Sequence, residues 1–294
     1  MDGVLNIRKE KGYTSFDVVA KLRGILHMRK IGHTGTLDPQ AEGVLPVVLG
    51  KATKLVDYLT EKQKTYEALM HLGIETDTQD MTGTILNESP VNVTNDEIIS
   101  VMNEFIGEYQ QVPPMYSALK VDGKKLYELA REGITVERKP RSVTFYDIQI
   151  EDIDLPYVRF SVTCSKGTYI RTLCYDIGRA LGCGACMEEL KRTRSGNFEW
   201  KDSMTLEEVE NAVRDGSIND HVITIDEVLK DYPAIFCSEP GNCLLENGNP
   251  ISECMMKNQC KEGTVRMCDS NGVFKGLYEW NEKREHYQPQ KMFL

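Results

Sequence analysis

No stretch of about 18 consecutive apolar residues occurs anywhere in this 294-residue chain, so nothing in it reads as a membrane-spanning helix. The opening segment MDGVLNIRKEKGYTSFD lacks the apolar core that a secretory signal needs, which points to the cytoplasm. Internal repeats and low-complexity tracts are missing too. Cysteine occurs nine times but in no metal-binding pattern. One CxxC, Cys183 to Cys186, has no second pair to match it, and the last five cysteines, Cys237 to Cys268, stand 6 to 11 residues apart. An odd number of scattered thiols suits reduced, buried or incidental side chains, with no metal site. Excess positive charge is lacking as well: 45 acidic residues outnumber 35 basic ones, which argues against tight non-specific binding to nucleic acid.

What is present is an ordinary globular composition, 40% apolar and 27% charged, long enough for one large domain with a small appendage. The charge is uneven. Residues 197–232 carry ten acids against three bases, whereas residues 1–60 carry nine bases against six acids and residues 164–196 six against three. Local field rather than total charge governs attraction to a polyanion. GVLNIRK reads as a strand, followed by an amphipathic helix capped by Thr14 or Ser15 and then a loop rich in Gly, Thr and Pro. Tyr66, Ala68, Met70 and Leu72 alternate onto one face of a strand, and Thr94 or Asn95 caps a helix. Residues 111–141 form a long basic excursion with one short helix, KKLYELAREG; excursions of this length are usually functional. Two strands follow, then a helix starting near Thr168 and ending at Gly182. Acidic helical segments fill 204–231, and Pro233 marks a boundary before a β-rich tail. The class is α+β, mixed strands with helices, divided into residues 1–232 and 233–294.

The densest segment is GHTGTLDPQAEGVLP, Gly32 to Pro46. It offers one carboxylate, Asp38, on a glycine-rich loop, held extended by the proline that follows it. The pattern alone favours an Asx-turn without chemistry. The full string, however, resembles the signature loop of TruB-type pseudouridine synthases. Three further stretches resemble the same family in order: KTYEALMHLGIETDTQDMTG, YSALKVDGKKLYELAREGITVERKPR and SKGTYIRTLCYDIGRALGCGACMEELKRTRSG. The likeness spans roughly residues 3–200.

That resemblance implies a pseudouridine synthase fold, with a mixed, mostly antiparallel sheet flanked by helices, an inserted thumb at about 111–141 and a small PUA-like C-terminal module. It implies isomerisation of uridine 55 in the T loop of tRNA, with Asp38 as the catalytic carboxylate and no cofactor or metal. Tyr66 and Tyr169 would sandwich the flipped uracil, and Arg171 would pair with Asp38, although its place at a helix start also suits phosphate. Leu190, taken as helical, would touch the base, and His33 would fill the gap the base leaves. Lys9, Lys11, Arg29, Lys30, Lys124, Lys125, Lys191 and Arg192 are candidates for phosphate contacts, with Lys120, Arg141 and Arg194 beside them. The implied partner is the tRNA T arm, without a membrane or an obligatory protein partner, and the expected state is a monomer. Alternatives are a tRNA-folding chaperone, a guide-RNA-dependent synthase of the dyskerin type, and a glycosidase-like hydrolase, which would want a second positioned acid; Glu42 is near in sequence, but the resemblance assigns it no catalytic role.

Overall fold

Two strands that are buried along nearly their whole length set the first half of the architecture. In β1 (Gly3–Lys9) and β3 (Glu42–Leu49), all but one residue of each is buried, so both faces of these strands must be covered. On one face α1 (Ser15–Ile25) packs with a later acidic helix against Leu5, Ile7, Leu45 and Val47. Thr14 caps α1 in a reciprocal box with Asp17. On the other face Val4, Val44 and Val48 meet Leu55, Leu59, Leu277 and Phe293. A short strand, β2 (Ile31–His33), pairs with β3, and a 3₁₀ turn over Gly50–Leu55 leads into α2 (Val56–Thr60). The computed structural model describes residues 1–121 and 123–294; Asp122, within the thumb motif, lies outside them.

The second half alternates instead. In β4 (Lys64–Leu72) every second residue from Lys64 is buried, so Tyr66, Ala68, Met70 and Leu72 share the covered face, as expected. The hairpin β5 (Ile74–Thr76) and β6 (Ile85–Glu88) leads to α3 (Asn95–Glu104), capped by Thr94. Strand β7 (Gly107–Gln111) opens the thumb, which carries a two-residue hairpin, β8 (Lys120–Val121) and β9 (Lys124–Lys125), and a helix, α4 (Leu126–Arg131). The chain returns through β10 (Arg141–Asp154) and β11 (Tyr157–Cys164) to α5 (Ile170–Ala180). Helices α3 and α5 bury Met70, Phe145, Phe160 and Val162, each fully sealed large side chain contributing about 2–3 kcal/mol.

One element departs from the sequence reading. Residues Ala185–Ser195, including Leu190, form not a helix but a strand, β12, in the middle of the sheet. Met-Glu-Glu-Leu-Lys-Arg is made of good helix formers. Pairing with β4 on one edge and β3 on the other overrides that preference. The sheet order is β1-β3-β12-β4-β11-β10-β7, antiparallel except where β12 runs beside β3. That parallel seam is only two residue pairs long, Lys191 with Glu42 and Arg192 with Gly43. Gly43 adopts φ +136°, and a side chain there would stand 2.4 Å from the Arg192 carbonyl oxygen, so only glycine lets the two halves close.

After β13 (Phe198–Glu199) come α6 (Leu206–Asp215), which is the acidic helix packed on α1, and α7 (Ile225–Val228). The tail builds a separate five-stranded sheet from β14 (Ala234–Phe236), β15 (Ile251–Ser252), β16 (Thr264–Cys268), β17 (Phe274–Asn281) and β18 (His286–Met292), with α8 (Asn242–Glu246) between its first two strands. Six of the nine cysteines are buried in these cores. Burial pushes the Cys164 thiol up to about 12, the state of a small hydrophobe rather than a reactive thiolate.

Candidate active site

The loop between β2 and β3 crosses from the first half of the fold to the second. Its apolar residues Leu37 and Ala41 are buried in the core formed by β4, β11 and α5, which leaves Asp38 between them at the surface of that core. The loop backbone is pinned throughout. Ser15 Oγ accepts from the Leu37 N–H at 2.9 Å, the Pro39 carbonyl accepts from Gly12 N–H at 2.8 Å, and the Ala41 N–H closes a turn onto the Asp38 carbonyl at 3.1 Å. The Asp38 side chain takes no part in that turn. Its carboxylate instead receives a fork from Arg171, with Nε at 2.9 Å from Oδ2 and Nη2 at 3.3 Å from Oδ1. Such two-point pairing fixes both the charge and the plane of the acid.

Arg171 lies in the first turn of α5 and is 5% exposed. Its remaining donors go to the Thr78 carbonyl (3.0 Å) and the Tyr116 carbonyl (3.0 Å), with Asp80 Oδ2 at 3.7 Å. A side chain so engaged is not available to phosphate, and the helix begins at Ile170 rather than near Thr168. Asp80 was not singled out from the sequence. It is held by the Thr78 hydroxyl at 2.7 Å and the Thr82 N–H at 3.0 Å, and makes Arg171 the shared cation of two carboxylates. The signal was the alternation of Thr and Asp in ETDTQDMTG, which favours side chains bonding nearby backbone. Beside it Gln79 sits at φ +63°, with its amide oxygen accepting from Thr172 at 2.7 Å.

Burial pushes the Asp38 carboxyl above the usual carboxylate range; Arg171 opposes the rise, and Asp80 adds to it. The side chain still keeps 38% of its surface open, so this is the desolvation of a cleft and not of a sealed interior. Tyr66 is buried on β4, and burial raises its phenol, with the charge of Arg192 pulling the other way. Tyr169 is half-buried at the N-cap of α5; burial raises its phenol too, opposed by Ser117 and Arg171. Leu190, on β12 opposite Ala68, joins the same buried cluster as Tyr66 and Leu37. His33 closes β2, with its Nδ1 buried and unpartnered among the described residues. Burial and then Arg192 lower its pKa, so the ring is neutral at pH 7.

Two of the basic candidates serve the loop rather than the surface. Lys9 is fully buried, and its ammonium donates to the carbonyls of Tyr13 (2.6 Å), Glu10 (3.0 Å) and Pro39 (3.2 Å). Burial lowers its pKa to about 8, with Asp38 opposing. Arg192 is equally sealed and donates to the Val44 carbonyl at 2.7 Å and the Gly35 carbonyl at 3.3 Å. Arg192 therefore ties the two ends of the Asp38 loop and Lys9 its middle, which corrects their reading as phosphate contacts. Lys11 pairs with Glu189 and Lys191 with Glu67, on the sheet face away from Tyr66. Glu42 lines a surface cavity there with Glu67 and Glu189, so it is not a second acid facing Asp38. Arg29, Lys30, Lys120, Lys124 and Arg141 are exposed, Lys125 is half-exposed with its ammonium on the Tyr127 hydroxyl, and Arg194 donates to Thr65.

Known proteins resemble this chain in sequence and in fold. Residues 23–170 match the N-terminal domain of TruB family pseudouridylate synthases, and residues 171–232 match the tRNA pseudouridylate synthase B C-terminal domain. A tRNA pseudouridine synthase B of Clostridium novyi is 51% identical over 96% of this chain and 97% of its own length. One of Lachnoclostridium phytofermentans is 48% identical over the whole of both chains. Among solved structures, a chain of a Cbf5–Nop10–Gar1 complex superposes with a TM-score of 0.76 at 30% identity, covering 99% of this chain and 85% of that one. A chain of an H/ACA ribonucleoprotein bound to a substrate RNA containing 2′-deoxyuridine gives 0.75 at 28% identity, with the same coverage. By sequence along nearly its full length and by fold, this chain belongs to the TruB family of pseudouridylate synthases.

Proposed function

We propose that this chain isomerises uridine to pseudouridine in tRNA, at position 55 of the T loop, with Asp38 as the catalytic carboxylate. The observation that carries this reading is the fork from Arg171, which holds a partly desolvated carboxylate in one orientation, close enough to Tyr66 and Tyr169 for its charge to act on both phenols. The reaction breaks N1–C1′, turns the base, and forms C5–C1′; the C5 proton is lost and N1 gains one. Nothing is oxidised and no group leaves. Positive charge develops at C1′ as the first bond breaks, and an ionised carboxylate there stabilises it, as in glycoside cleavage. Arg171 favours the ionised form against the burial that opposes it.

The base must be drawn out of its loop, at a cost of a few kcal/mol. Tyr66 and Tyr169 supply surfaces for the extruded ring, and neutral His33 stands at the root of the loop to take its vacated place. The division of labour follows the boundary at Pro233: residues 1–232 carry catalysis, and residues 233–294 form a small PUA-like module. The working unit is a monomer that needs neither protein partner nor guide RNA. No helix of the described residues is long and apolar enough to cross a membrane, and the proposed location is the cytoplasm. The deciding experiment maps pseudouridine in unmodified tRNA incubated with the purified protein alone. Modification confined to uridine 55 is the expected result, and a requirement for added guide RNA would transfer the chain to the dyskerin type.

The thumb hairpin presents Lys124 and Lys125 near its tip, with Lys124 only loosely paired to Glu132 at 3.7 Å. Replacing both by Gln is expected to weaken tRNA binding and to reduce the slope of log K against log salt by about 2. Titrations across a salt series check this. An unchanged slope assigns the pair to the solvated surface.

A further inference from the structure

Gln111 is among the few polar side chains that the fold seals. It ends β7 at the root of the thumb, is 1% exposed, and pairs across the sheet with Arg141, where the thumb returns. Its amide spans the backbone of Tyr169. The Tyr169 N–H donates to Oε1 at 2.8 Å, and Nε2 donates to the Tyr169 carbonyl at 3.0 Å. Tyr169 is the N-cap of α5, a position usually filled by Ser, Thr, Asp or Asn because a short side-chain oxygen can accept a helix N–H. Tyrosine makes no such bond here. Its carbonyl also takes the first helical bond, from Leu173 N–H at 3.1 Å. Gln111 thus fixes the cap residue through both of its backbone polar groups, so the phenol ring is carried on an anchored backbone. Arg171 follows two residues later, and it is tied to the thumb a second time through the Tyr116 carbonyl.

We propose that Gln111 is a positioning residue: its amide sets the Tyr169 ring and, through the first turn of α5, the Arg171 fork on Asp38, joining both to the thumb root. The proposal rests on the roles given above to Tyr169 and Arg171. Loss of the clamp leaves binding surfaces intact but lets the reacting groups shift, and a misplacement of about 1 Å costs roughly 100-fold in rate. It also loosens the hold of Arg171 on Asp38, whose other charged neighbours are Asp80 and Lys9.

The test uses Gln111→Met, which keeps shape and loses both bonds, and Gln111→Glu, which keeps only the acceptor. Single-turnover conversion of tRNA is measured across pH, beside tRNA affinity and the fraction of active enzyme. The expected result for Gln111→Met is a rate lower by roughly 10- to 100-fold, affinity unchanged, and the acid limb moved to higher pH, with Gln111→Glu retaining more of the rate. Folded variants with the parental rate and acid limb overturn the proposal. So does a reduced active fraction whose remainder behaves like the parent, since that marks a purely structural role. Should Gln111→Met not fold, Gln111→Glu alone decides on the same readouts. Arg171→Lys, assayed in parallel, separates the two claims: if it too keeps full activity, the site assignment fails; if it loses activity while the Gln111 variants do not, only the present inference fails.

Discussion

Asp38→Asn protein is expected to make no pseudouridine in unmodified tRNA, a loss on the order of 10⁴-fold or more by analogy with removal of other nucleophilic groups. Asparagine keeps the shape of the side chain but not the charge that the ribose carbon needs. Affinity for tRNA is expected to stay within about threefold, because phosphate contacts supply most of it. The sign of the stability change is also set. An acid whose pKa is raised in the folded state favours folding below its unfolded value, and that contribution is lost as pH rises through the folded value. Ionising Asp38 therefore disfavours the fold, and the amide variant, which cannot ionise, should lose less stability than the parent as pH rises. Conversion assays, binding titrations and melting curves check the three parts; appreciable conversion by the variant would remove Asp38 from the mechanism.

Arg171→Met is expected to have the second largest effect. It withdraws the one cation shared by Asp38 and Asp80 and leaves the Thr78 and Tyr116 carbonyls without their donor. The Asp38 carboxyl, already raised by burial, then rises further, so the ionised fraction at a given pH falls. The acid limb of kcat/KM should move to higher pH, and the plateau should fall by about 10²- to 10³-fold, the scale for losing one preorganised charged contact. Arg171→Lys keeps a charge but not the planar fork; its limb should move less, while its plateau still drops. The folding cost of the Met variant is about 2 kcal/mol, below that for breaking a fully buried pair because the Asp38 side chain is partly open to water. A pH profile superimposable on the parent after scaling would show that Arg171 does not govern the ionisation of Asp38.

Much of this was legible in the chain. Period-two burial in Lys64–Leu72 and the Thr14 and Thr94 caps follow from local chemistry, and so do the two long strands after the thumb. The meeting of Asp38 with Arg171 is separated by 133 residues, and only the motif resemblance anticipated it. Three things were not legible, each for a definite reason. The helix-forming composition of Met187–Arg192 hides a strand, because its conformation is decided by neighbours distant in sequence. Lys9 and Arg192 look like surface charge, because nothing local reveals that backbone carbonyls of a loop consume their donors. Asp80 and Gln111 act by holding other groups: the Thr and Asp alternation around Asp80 marks local backbone bonding but not its reach to Arg171, and Gln111 leaves no pattern in one dimension.

The narrow parallel seam between β3 and β12 has a consequence for how activity arises during synthesis. Asp38 is translated early and belongs by backbone to one half of the sheet, while its guanidinium partner arrives on a helix of the other half. Neither half, however well formed, contains a competent centre. A nascent or partly melted chain can therefore hold native-like strands and still be chemically silent, and turnover becomes a signal that the two halves have joined.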